Sequence, residues 1–591
     1  MSDIESNELT YHAMLVVWGQ FAQSMGLIEG IEAVPLHQKT VHHRPQTKIL
    51  EFLVAVLAGL EHLQDLSRSA HPIDQDKAVA KAWRQPAWAD YSGVSRSLKA
   101  LTQTEAEQIT DALDRITQPL LAEEVMRVLQ HTGRLTYDGD LTGRPVSNTS
   151  TTYPNVAFGH MSDALRLGYQ AALVSLHSIT YGRFWLSVSP HPGDTVSCTQ
   201  AAAIVLAAEA QTGLRPLRRT GLLRDRLQAV VRDHQSREEQ MRAVQETLSA
   251  TETQETETRQ QIDQQHTMVA RLEAQYQEKQ RPERPYSALA KARHKLGVLE
   301  RRQTRLANKI LKLEKKLDTR QRQLIGHQAQ ESLLQRRLEQ FEAENRENRC
   351  PILATFRLDA GFGTRENVAL LIEMGYEVYI KPYSDWLTPR LKRWAKGRRD
   401  WTQVGKNAEM IAWKAVSLDD FPYPLDLALE RFWVGDTQKH ATLIHFGSDS
   451  VTTNLSEWFQ SYNGRQTIEA GIKEGKGVFE MHHLKVRSEP GLYLQEEFAV
   501  FAANFVRWAA RWLVTQCPQL PTGWQDTAQL KVKEQVKVAA HTSAWVNWQE
   551  QGCLLTFTDH SIFAGRSFQV ERHWAVQLPL PFSENAHFDH L

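Results

Sequence analysis

The sequence predicts an α/β protein in which a β-sheet is interrupted by a long helical hairpin. Segments rich in β-branched and aromatic residues follow one another from Arg134 to about Ser189, and they predict the first three strands. The stretch from Pro351 to Pro382 reads as strand, turn, helix and strand, the order that parallel strands require. Between these two parts, at about 222–347, apolar residues repeat with heptad spacing, which predicts helices.

The length and composition favour a modular globular protein. A chain of 591 residues predicts two to four domains, because one domain usually has about 100–200 residues. Lys plus Arg and Asp plus Glu each number 69, so the net charge does not indicate a polyanionic partner. Any site for a polyanion must therefore come from local clustering of charge.

Cysteine usage and hydropathy favour a cytoplasmic protein without a membrane span. Cys198, Cys350, Cys517 and Cys553 lie far apart and form no CxxC pair, which argues against a disulfide framework or a zinc knuckle. The first residues do not resemble a signal peptide, and the most apolar stretch, Ile49–Leu63, is short and contains two glutamates. We expect a reducing compartment.

Residues 1–130 show helical periodicity and predict a helical N-terminal domain. Within it, Ser92–Leu98 looks like a turn that leads into a short helix, as in a helix-turn-helix DNA reader, although an ordinary connection between helices explains it equally well. The other predicted segments are a first core part (131–221), the hairpin (222–347), a second core part (348–384), a β-rich insertion (385–455), a third core part (456–515) and a small C-terminal α+β region (516–591).

The heptad pattern at 222–347 predicts an antiparallel coiled-coil hairpin. One register runs from Leu223 to Tyr276 and a second from Leu299 to Phe341, and prolines at 282 and 285 separate them. Each arm of about 60 residues would be roughly 90 Å long at about 1.5 Å per residue. An inert spacer and an arm for dimerisation or for tracking DNA are equally compatible with the pattern.

Acidic residues follow two of the predicted strands. In DGDLTG, Asp138 and Asp140 project to the same face of a strand because side chains alternate, and either could be a metal ligand. Asp359 directly follows the strand of FRLDAGFG. Converging carboxylates suit Mg²⁺, and two Mg²⁺ ions about 4 Å apart promote phosphodiester chemistry. Each acid taken alone is also compatible with an ordinary turn.

A third acid lies within a stripe of polar residues. In YNGRQTIEAGIKEGK, Tyr462, Arg465, Glu469 and Lys476 fall on one face of a predicted helix. A solvated face of ion pairs is the alternative interpretation. The glycines at 471, 475 and 477 weaken this helix.

Cations and tryptophans cluster at the start of the β-rich segment. Such a mixture suits phosphate contact and base stacking, although a solvated basic helix with buried tryptophans is an equal alternative. The cluster comprises Lys381, Arg390, Lys392, Arg393, Lys396, Arg398 and Arg399, interleaved with Trp386, Trp394 and Trp401.

The spacing Y-x2-R-x3-E-x6-K at Tyr462, Arg465, Glu469 and Lys476 resembles the signature of the insertion-sequence-four-like superfamily of DDE transposases. DLTG and RLDAGFG resemble that superfamily's first and second aspartate motifs, in the same order. The resemblance covers roughly 30–220 and 350–580 and leaves the heptad segment as an insertion. It implies an RNase H-like catalytic core with a β-rich insertion between the second aspartate and the glutamate.

The resemblance also implies residue roles. Asp140, Asp359 and Glu469 would be the catalytic acids and the ligands of two Mg²⁺ ions, for which Mn²⁺ could substitute. The family's first aspartate usually precedes x-Thr/Ser, which favours Asp140, whereas Asp138-Gly resembles the strand motif of RNase H. Tyr462, Arg465 and Lys476 would hold DNA phosphates, and the cations Lys392, Arg393, Lys396, Arg398 and Arg399 are further candidates for DNA contact.

The implied function is cut-and-paste transposition. The partners would be the terminal inverted repeats of an insertion sequence and a target DNA duplex, in bacterial cytoplasm at the nucleoid. Two ends must be held together, which predicts a homodimer. A domesticated nuclease or recombinase and a non-catalytic architectural DNA-binding protein are the alternatives.

Overall fold

The computed structural model describes residues 7–39, 42–161, 164–280, 282–383, 387–448, 451–516, 531–561, 563 and 567–572. The chain divides into two compact units. One comprises Met1–Leu217 and Asn348–Leu591, and the other comprises Arg218–Glu347.

The N-terminal part of the chain is helical after one short strand. Its strand is β1 (Glu8–Thr10), and its helices are α1 (Ala13–Ser24), α2 (Leu27–Glu32), α3 (Pro45–Leu57), α4 (Asp65–Arg68), α5 (Lys77–Ala82), α6 (Tyr91–Ala100) and α7 (Gln103–Thr132). The turn predicted at Ser92 is wrong, because the Asp90 side chain accepts a hydrogen bond from Gly93 N and starts α6 at Tyr91.

The first strands of the central sheet follow α7. They are β2 (Arg134–Pro145), β3 (Ala157–Met161), β4 (Ala164–Ser178) and β5 (Gly182–Pro192), and helix α8 (Ala201–Thr212) comes next. Strand β4 pairs antiparallel with β2, β3 and β5. The three strands predicted between Arg134 and Ser189 are confirmed as β2, β4 and β5, and β3 is an additional edge strand.

The unit at Arg218–Glu347 contains two long helices, α9 (Thr220–Glu278) and α10 (Ala288–Glu347). They run antiparallel, because His234 of α9 contacts Glu331 of α10 while Gln265 contacts the carbonyl of Ala292. The buried positions of α9 include Thr251 and Thr258, which fill slots of the predicted heptad register with polar side chains. The predicted pair of antiparallel helical arms is confirmed.

The chain then returns to the central sheet. Strands β6 (Leu353–Leu358) and β7 (Glu377–Ile380) are parallel and are joined through α11 (Arg365–Glu373). After α12 (Thr388–Ala395) come β8 (Thr402–Gly405), β9 (Ala408–Val416), β10 (Leu425–Val434) and β11 (Thr437–Phe446). Because β11 pairs antiparallel with β7, the β-rich segment extends the central sheet.

The sheet is mixed, and the protein is α/β. Its order is β3-β4-β2-β6-β7-β11-β10-β9-β8, with β5 paired to β4. Strands β2 and β6 are parallel neighbours at its centre. The fold class predicted from the sequence is confirmed at this level.

The remaining elements of the larger unit follow the β-rich segment in the chain. They are α13 (Leu455–Asn463), α14 (Gln466–Val478), α15 (Glu489–Gln516), α16 (Val532–Lys537), β12 (Ala544–Gln549), β13 (Gly552–Phe557) and β14 (Ser567–Glu571). Strand β1 pairs with β12, so the N-terminal segment and the C-terminal region share a four-stranded sheet. Among the helices described, none has both the length and the apolar character needed to cross a membrane.

Candidate active site

The pairing of two central strands brings two acidic residues to the same edge of the sheet. Asp138 of β2 lies opposite Arg357 of β6 in a parallel register. Two residues further along each strand direction are Asp140 and Asp359, and they point to the same face as the preceding pair because side chains alternate. Sheet register therefore predicts that these two carboxylates lie close together, although they are far apart in the sequence.

The third acid reaches the same place from a helix. Glu469 lies in the first turn of α14, which begins directly after Arg465. The predicted single helical stripe is wrong in one respect. Tyr462 belongs to α13, which ends at Asn463, whereas α14 begins at Gln466. Lys476 lies in the last turn of α14, which ends at Val478 despite its glycines.

Arg465 connects the three acids. Its Nη1 lies 3.2 Å from Asp140 Oδ2, and its Nη2 lies 2.5 Å from Glu469 Oε1. Asp359 interacts electrostatically with the same guanidinium. The Asp359 side chain also accepts a hydrogen bond of 2.9 Å from Gly361 N, which fixes it at the start of the glycine-rich turn.

Negative charge accumulates at this group. The pKa of Asp140 is raised to about 6, chiefly by burial; Arg465 opposes this shift, and Asp359 and Glu469 contribute to it. Burial likewise raises the pKa of Asp359. Burial works against the charge of Arg465, yet the acids, Asp140 first, raise the pKa of its guanidinium. One guanidinium thus compensates three carboxylates only in part.

Asp138 has a different environment from Asp140. Its two oxygens each accept a hydrogen bond of 2.6 Å from Arg357, through Nε and Nη2, and its side chain is fully buried. Thr467 of α14 donates to the same carboxylate at 3.3 Å. Since its oxygens are already engaged, Asp138 holds β2, β6 and α14 together, while Asp140 faces the other two acids.

The junction of α13 and α14 keeps right-handed helical angles, and the glycine there lets Arg357 approach closely. Arg357 Nη1 donates a hydrogen bond of 3.0 Å to the carbonyl of Ser461, and a Cβ on Gly464 would lie 2.1 Å from that nitrogen. A second close approach is at Gly471, where a Cβ would lie 2.3 Å from Arg183 of β5. The glycines that weaken α14 in isolation let this helix and its glutamate lie close to the sheet.

Tyr462 and Lys476 lie near the acids, and each interacts with a different one. Tyr462 is buried, the ammonium of Lys381 lies 5.1 Å from its ring centre, and burial raises its pKa to about 12 while Asp359 adds to the shift. Burial and the nearby Arg144 lower the pKa of Lys476, while Glu496 and Asp140 oppose this shift.

Lys476 lines a cleft of about 430 Å³ beside the end of β2. Its other polar lining residues include Arg166, Lys473 and His482. Arg166 and Lys473 were not predicted from the sequence. Lys473 follows Glu469 by one helical turn, a signal that could have identified it.

The basic cluster lies on α12 and the turn after it. Helix α12 packs against β10 and β11. The guanidinium of Arg398 lies 5.3 Å from the Trp394 ring and 5.5 Å from the Trp413 ring, and that of Arg431 lies 4.0 Å from Trp401. Trp386 lies outside the described residues. The exposed cations of the cluster are Arg390, Lys392, Arg393, Lys396, Arg398 and Arg399, of which Arg390 pairs with Asp420.

Two groups of residues could hold a cation. The donor set of Asp140, Asp359 and Glu469 is all carboxylate, which suits a hard divalent ion. Within the described ranges, however, the group whose ligand atoms all lie within 4.8 Å of one another is Glu480, His482 and His483. In the group of three acids, Arg465 lies between the carboxylates. The second group was not predicted from the sequence, although Glu-x-His-His is a visible signal in FEMHHL.

Comparison with known proteins does not identify a family: no family model matches this sequence, and no curated protein matches it. The functional assignment therefore rests on the residues and their geometry.

The buried pair of Asp138 and Arg357 generates a stability prediction. Asp138→Ala leaves Arg357 uncompensated in a site where it is only 7% exposed, so we expect a loss of about 3–5 kcal/mol in the free energy of unfolding. The double variant Asp138→Leu with Arg357→Met, which removes both charges, should lose less than the sum of its single changes. Urea unfolding measures each value.

A matched control is Glu29→Ala, which breaks the exposed ion pair with Arg84 and should cost at most about 1 kcal/mol. A loss below about 1 kcal/mol for Asp138→Ala would show that the pair does not hold the strands and helix together.

The raised pKa of Asp140 generates a pH prediction. Its pKa is about 6 in the folded chain, against an ordinary value of 3.8, so ionisation between about pH 4 and 6 favours the unfolded chain. In EDTA, the Tm of Asp140→Asn should therefore match that of the wild type near pH 4 and exceed it increasingly up to about pH 6. Above about pH 6, the free energy of unfolding of the variant should exceed that of the wild type by about 1–3 kcal/mol. The exposed control Asp436→Asn should show no such trend, and a difference for Asp140→Asn that is constant from pH 4 to 7 would refute the assignment.

Proposed function

We propose that this protein is a DDE transposase that uses divalent metal ions to cut and join DNA at the terminal inverted repeats of an insertion sequence. The observation that carries the proposal is the convergence of Asp140, Asp359 and Glu469, from three separate segments, around one arginine. Each was a weak candidate in isolation. Their meeting in one place is what a catalytic triad of acids requires.

The strand order supports an RNase H-like core. In space, β5, β4 and β2 are antiparallel neighbours, and β6 and β7 then continue parallel to β2. The first acid lies on the central strand β2, the second directly after β6, and the third on a helix beside them. In this proposal β8 to β11 are the β-rich insertion between the second aspartate and the glutamate.

The charge and chemistry of the site support Mg²⁺, with Mn²⁺ as a substitute. Three carboxylates share one guanidinium, and burial is the main cause that raises the pKa of Asp140 and of Asp359. Hard carboxylate oxygens from converging elements are the ligands that Mg²⁺ prefers. Asp140, Asp359 and Glu469 would hold two such ions.

Bound there, the ions would neutralise the scissile phosphate and make a water or a 3′-hydroxyl nucleophilic. Residues of the chain would position the acids that hold these ions. Arg465 holds Asp140 and Glu469 close together, because its guanidinium bonds both carboxylates. Asp138 and Arg357 hold the strands and α14 in register.

The surroundings of the acids support DNA as substrate. The cleft beside the end of β2 is lined by Lys473, Lys476 and Arg166, and a cleft lined by cations suits the phosphates of a DNA strand. Lys381, whose ammonium lies over the Tyr462 ring near Asp359, would add a second cationic contact to DNA. The exposed cations and tryptophans of α12 and the adjoining strands would extend this contact by phosphate binding and base stacking.

Two DNA ends must be processed together in cut-and-paste transposition, so the active species would be a homodimer. The antiparallel helices α9 and α10 would act either as a spacer or as an arm for dimerisation or DNA contact. Their polar heptad positions, such as Thr251 and Thr258, agree with a pair of modest intrinsic stability.

The proposal predicts Mg²⁺-dependent cleavage that depends on each acid. DNA flanking the gene, inspected first for inverted repeats, supplies the substrate, and strand cleavage and joining are followed on gels. Asp140→Asn, Asp359→Asn and Glu469→Gln should each lower the rate about 100-fold or more, equal to about 2.7 kcal/mol of transition-state stabilisation. DNA affinity measured in EDTA should persist, because the cationic cleft is untouched.

Glu457→Gln is the matched control, since Glu457 is an exposed acid in the first turn of α13, a helix that the Asn454 side chain caps. It should retain wild-type rates. Full activity in Asp359→Asn or Glu469→Gln, or cleavage that persists in EDTA, would rule out the proposed reaction.

A further inference from the structure

A second cluster of metal-ligating side chains follows α14. The segment after this helix carries Glu480, His482 and His483, and one ligand atom from each lies within 4.8 Å of the others. None of the three is assigned a step in the proposed reaction, although His482 lines the cleft beside Lys476. Glu480 is buried, and both histidines are half-buried.

The distances fit a tetrahedral centre. Glu480 Oε2 lies 3.2 Å from His483 Nδ1 and 3.7 Å from His482 Nε2. Ligands about 2.0–2.1 Å from Zn²⁺ at tetrahedral angles are separated by roughly 3.3 Å. A small movement of the two rings would therefore bring all three atoms to one ion.

The surroundings resemble an outer shell around metal ligands. The second ring nitrogen of His483, Nε2, lies 3.4 Å from Glu61 Oε1. Ligating histidines usually donate their other N–H to a carboxylate or a carbonyl, which fixes the tautomer and the ring orientation. His483 has such a partner, whereas the buried Nδ1 of His482 has no hydrogen-bond partner among the described residues.

A lysine fixes which oxygen of Glu480 faces the histidines. Lys537 Nζ bonds Glu480 Oε1 at 2.6 Å, so Oε2 is the oxygen that faces the two histidines.

The backbone of Glu480 is strained. Its φ of +53° lies in the left-handed region, which a residue with a Cβ adopts at an energetic penalty. Such strain recurs where a structure holds ligands in place. It turns the Glu480 side chain toward the two histidines that follow it.

We propose that Glu480, His482 and His483 bind one Zn²⁺ ion, with the fourth coordination position open to water. Two imidazoles and one carboxylate favour Zn²⁺ over Mg²⁺, which prefers oxygen ligands alone. This site is separate from the three acids and does not depend on the reaction proposed for them.

The ion would fix the position of the C-terminal end of α14. Lys537 also donates a hydrogen bond of 2.7 Å to the carbonyl of Gly59, just after α3, and a Cβ on Gly59 would lie 2.7 Å from the carbonyl of Val478. The end of α14, the end of α3 and α16 thus meet at the cluster. Holding this junction fixes the helix that carries Glu469 and Lys476.

The test uses the full chain, freed of metal with a chelator and then titrated with Zn²⁺ in a calorimeter. We expect one Zn²⁺ per chain and a visible absorption spectrum of tetrahedral type when Co²⁺ replaces it. The double variant His482→Ala with His483→Ala should lose both signals. Glu61→Gln, a change at a half-exposed side chain that leaves folding intact, should keep the stoichiometry and weaken affinity about 10–100-fold.

Two controls separate this site from other causes. His266→Ala with His294→Ala removes two histidines from the long helices and should leave Zn²⁺ binding unchanged. Asp140→Asn with Glu469→Gln should also leave it unchanged, whatever the outcome of the cleavage assays. Equal binding by the wild type and the His482/His483 double variant, an unaltered affinity in Glu61→Gln, or loss of binding in the Asp140/Glu469 double variant would each overturn the proposal.

Discussion

The attraction between Arg465 and three converging carboxylates is the interaction on which the candidate active site depends. Asp140, Asp359 and Glu469 come from two strands and a helix, and without a shared cation their mutual repulsion would oppose the packing that brings them together. Burial disfavours a charged carboxylate, and it is the main reason that the pKa of Asp140 is raised to about 6. A bound cation would stabilise the charged form of such an acid.

A second charged pair makes this arrangement possible. Asp138 and Arg357 are buried at the parallel pairing of β2 and β6, and Arg357 also bonds the carbonyl of Ser461 at the end of α13. The pair thus joins the two central strands to the junction of α13 and α14. Arg465 lies at this junction, and Glu469 follows it in the first turn of α14. A polar framework of this kind adds little stability by itself, but removing one partner leaves an uncompensated charge.

The features that could be predicted from sequence are those encoded locally. Alternation and β-branched residues indicated β2, β4 and β5, and heptad spacing indicated α9 and α10. The need for glycine at position 464 could not be predicted, because Arg357, which a Cβ there would meet, is distant in the chain. The choice between Asp138 and Asp140 was open for the same reason: the two acids differ in their long-range partners. Arg166 and the Glu480 cluster likewise acquire meaning only where separate segments meet.

The central claim is that Asp140, Asp359 and Glu469 form a centre for divalent cations. Anomalous scattering from crystals of the full chain soaked in Mn²⁺ tests it most directly. We expect Mn²⁺ peaks bounded by oxygens of these three residues, with Arg465 no longer bonded to both Asp140 and Glu469. Crystals in which Mn²⁺ binds only at His482 and His483, or in which the three acids remain bridged by Arg465 at saturating Mn²⁺, would contradict the account.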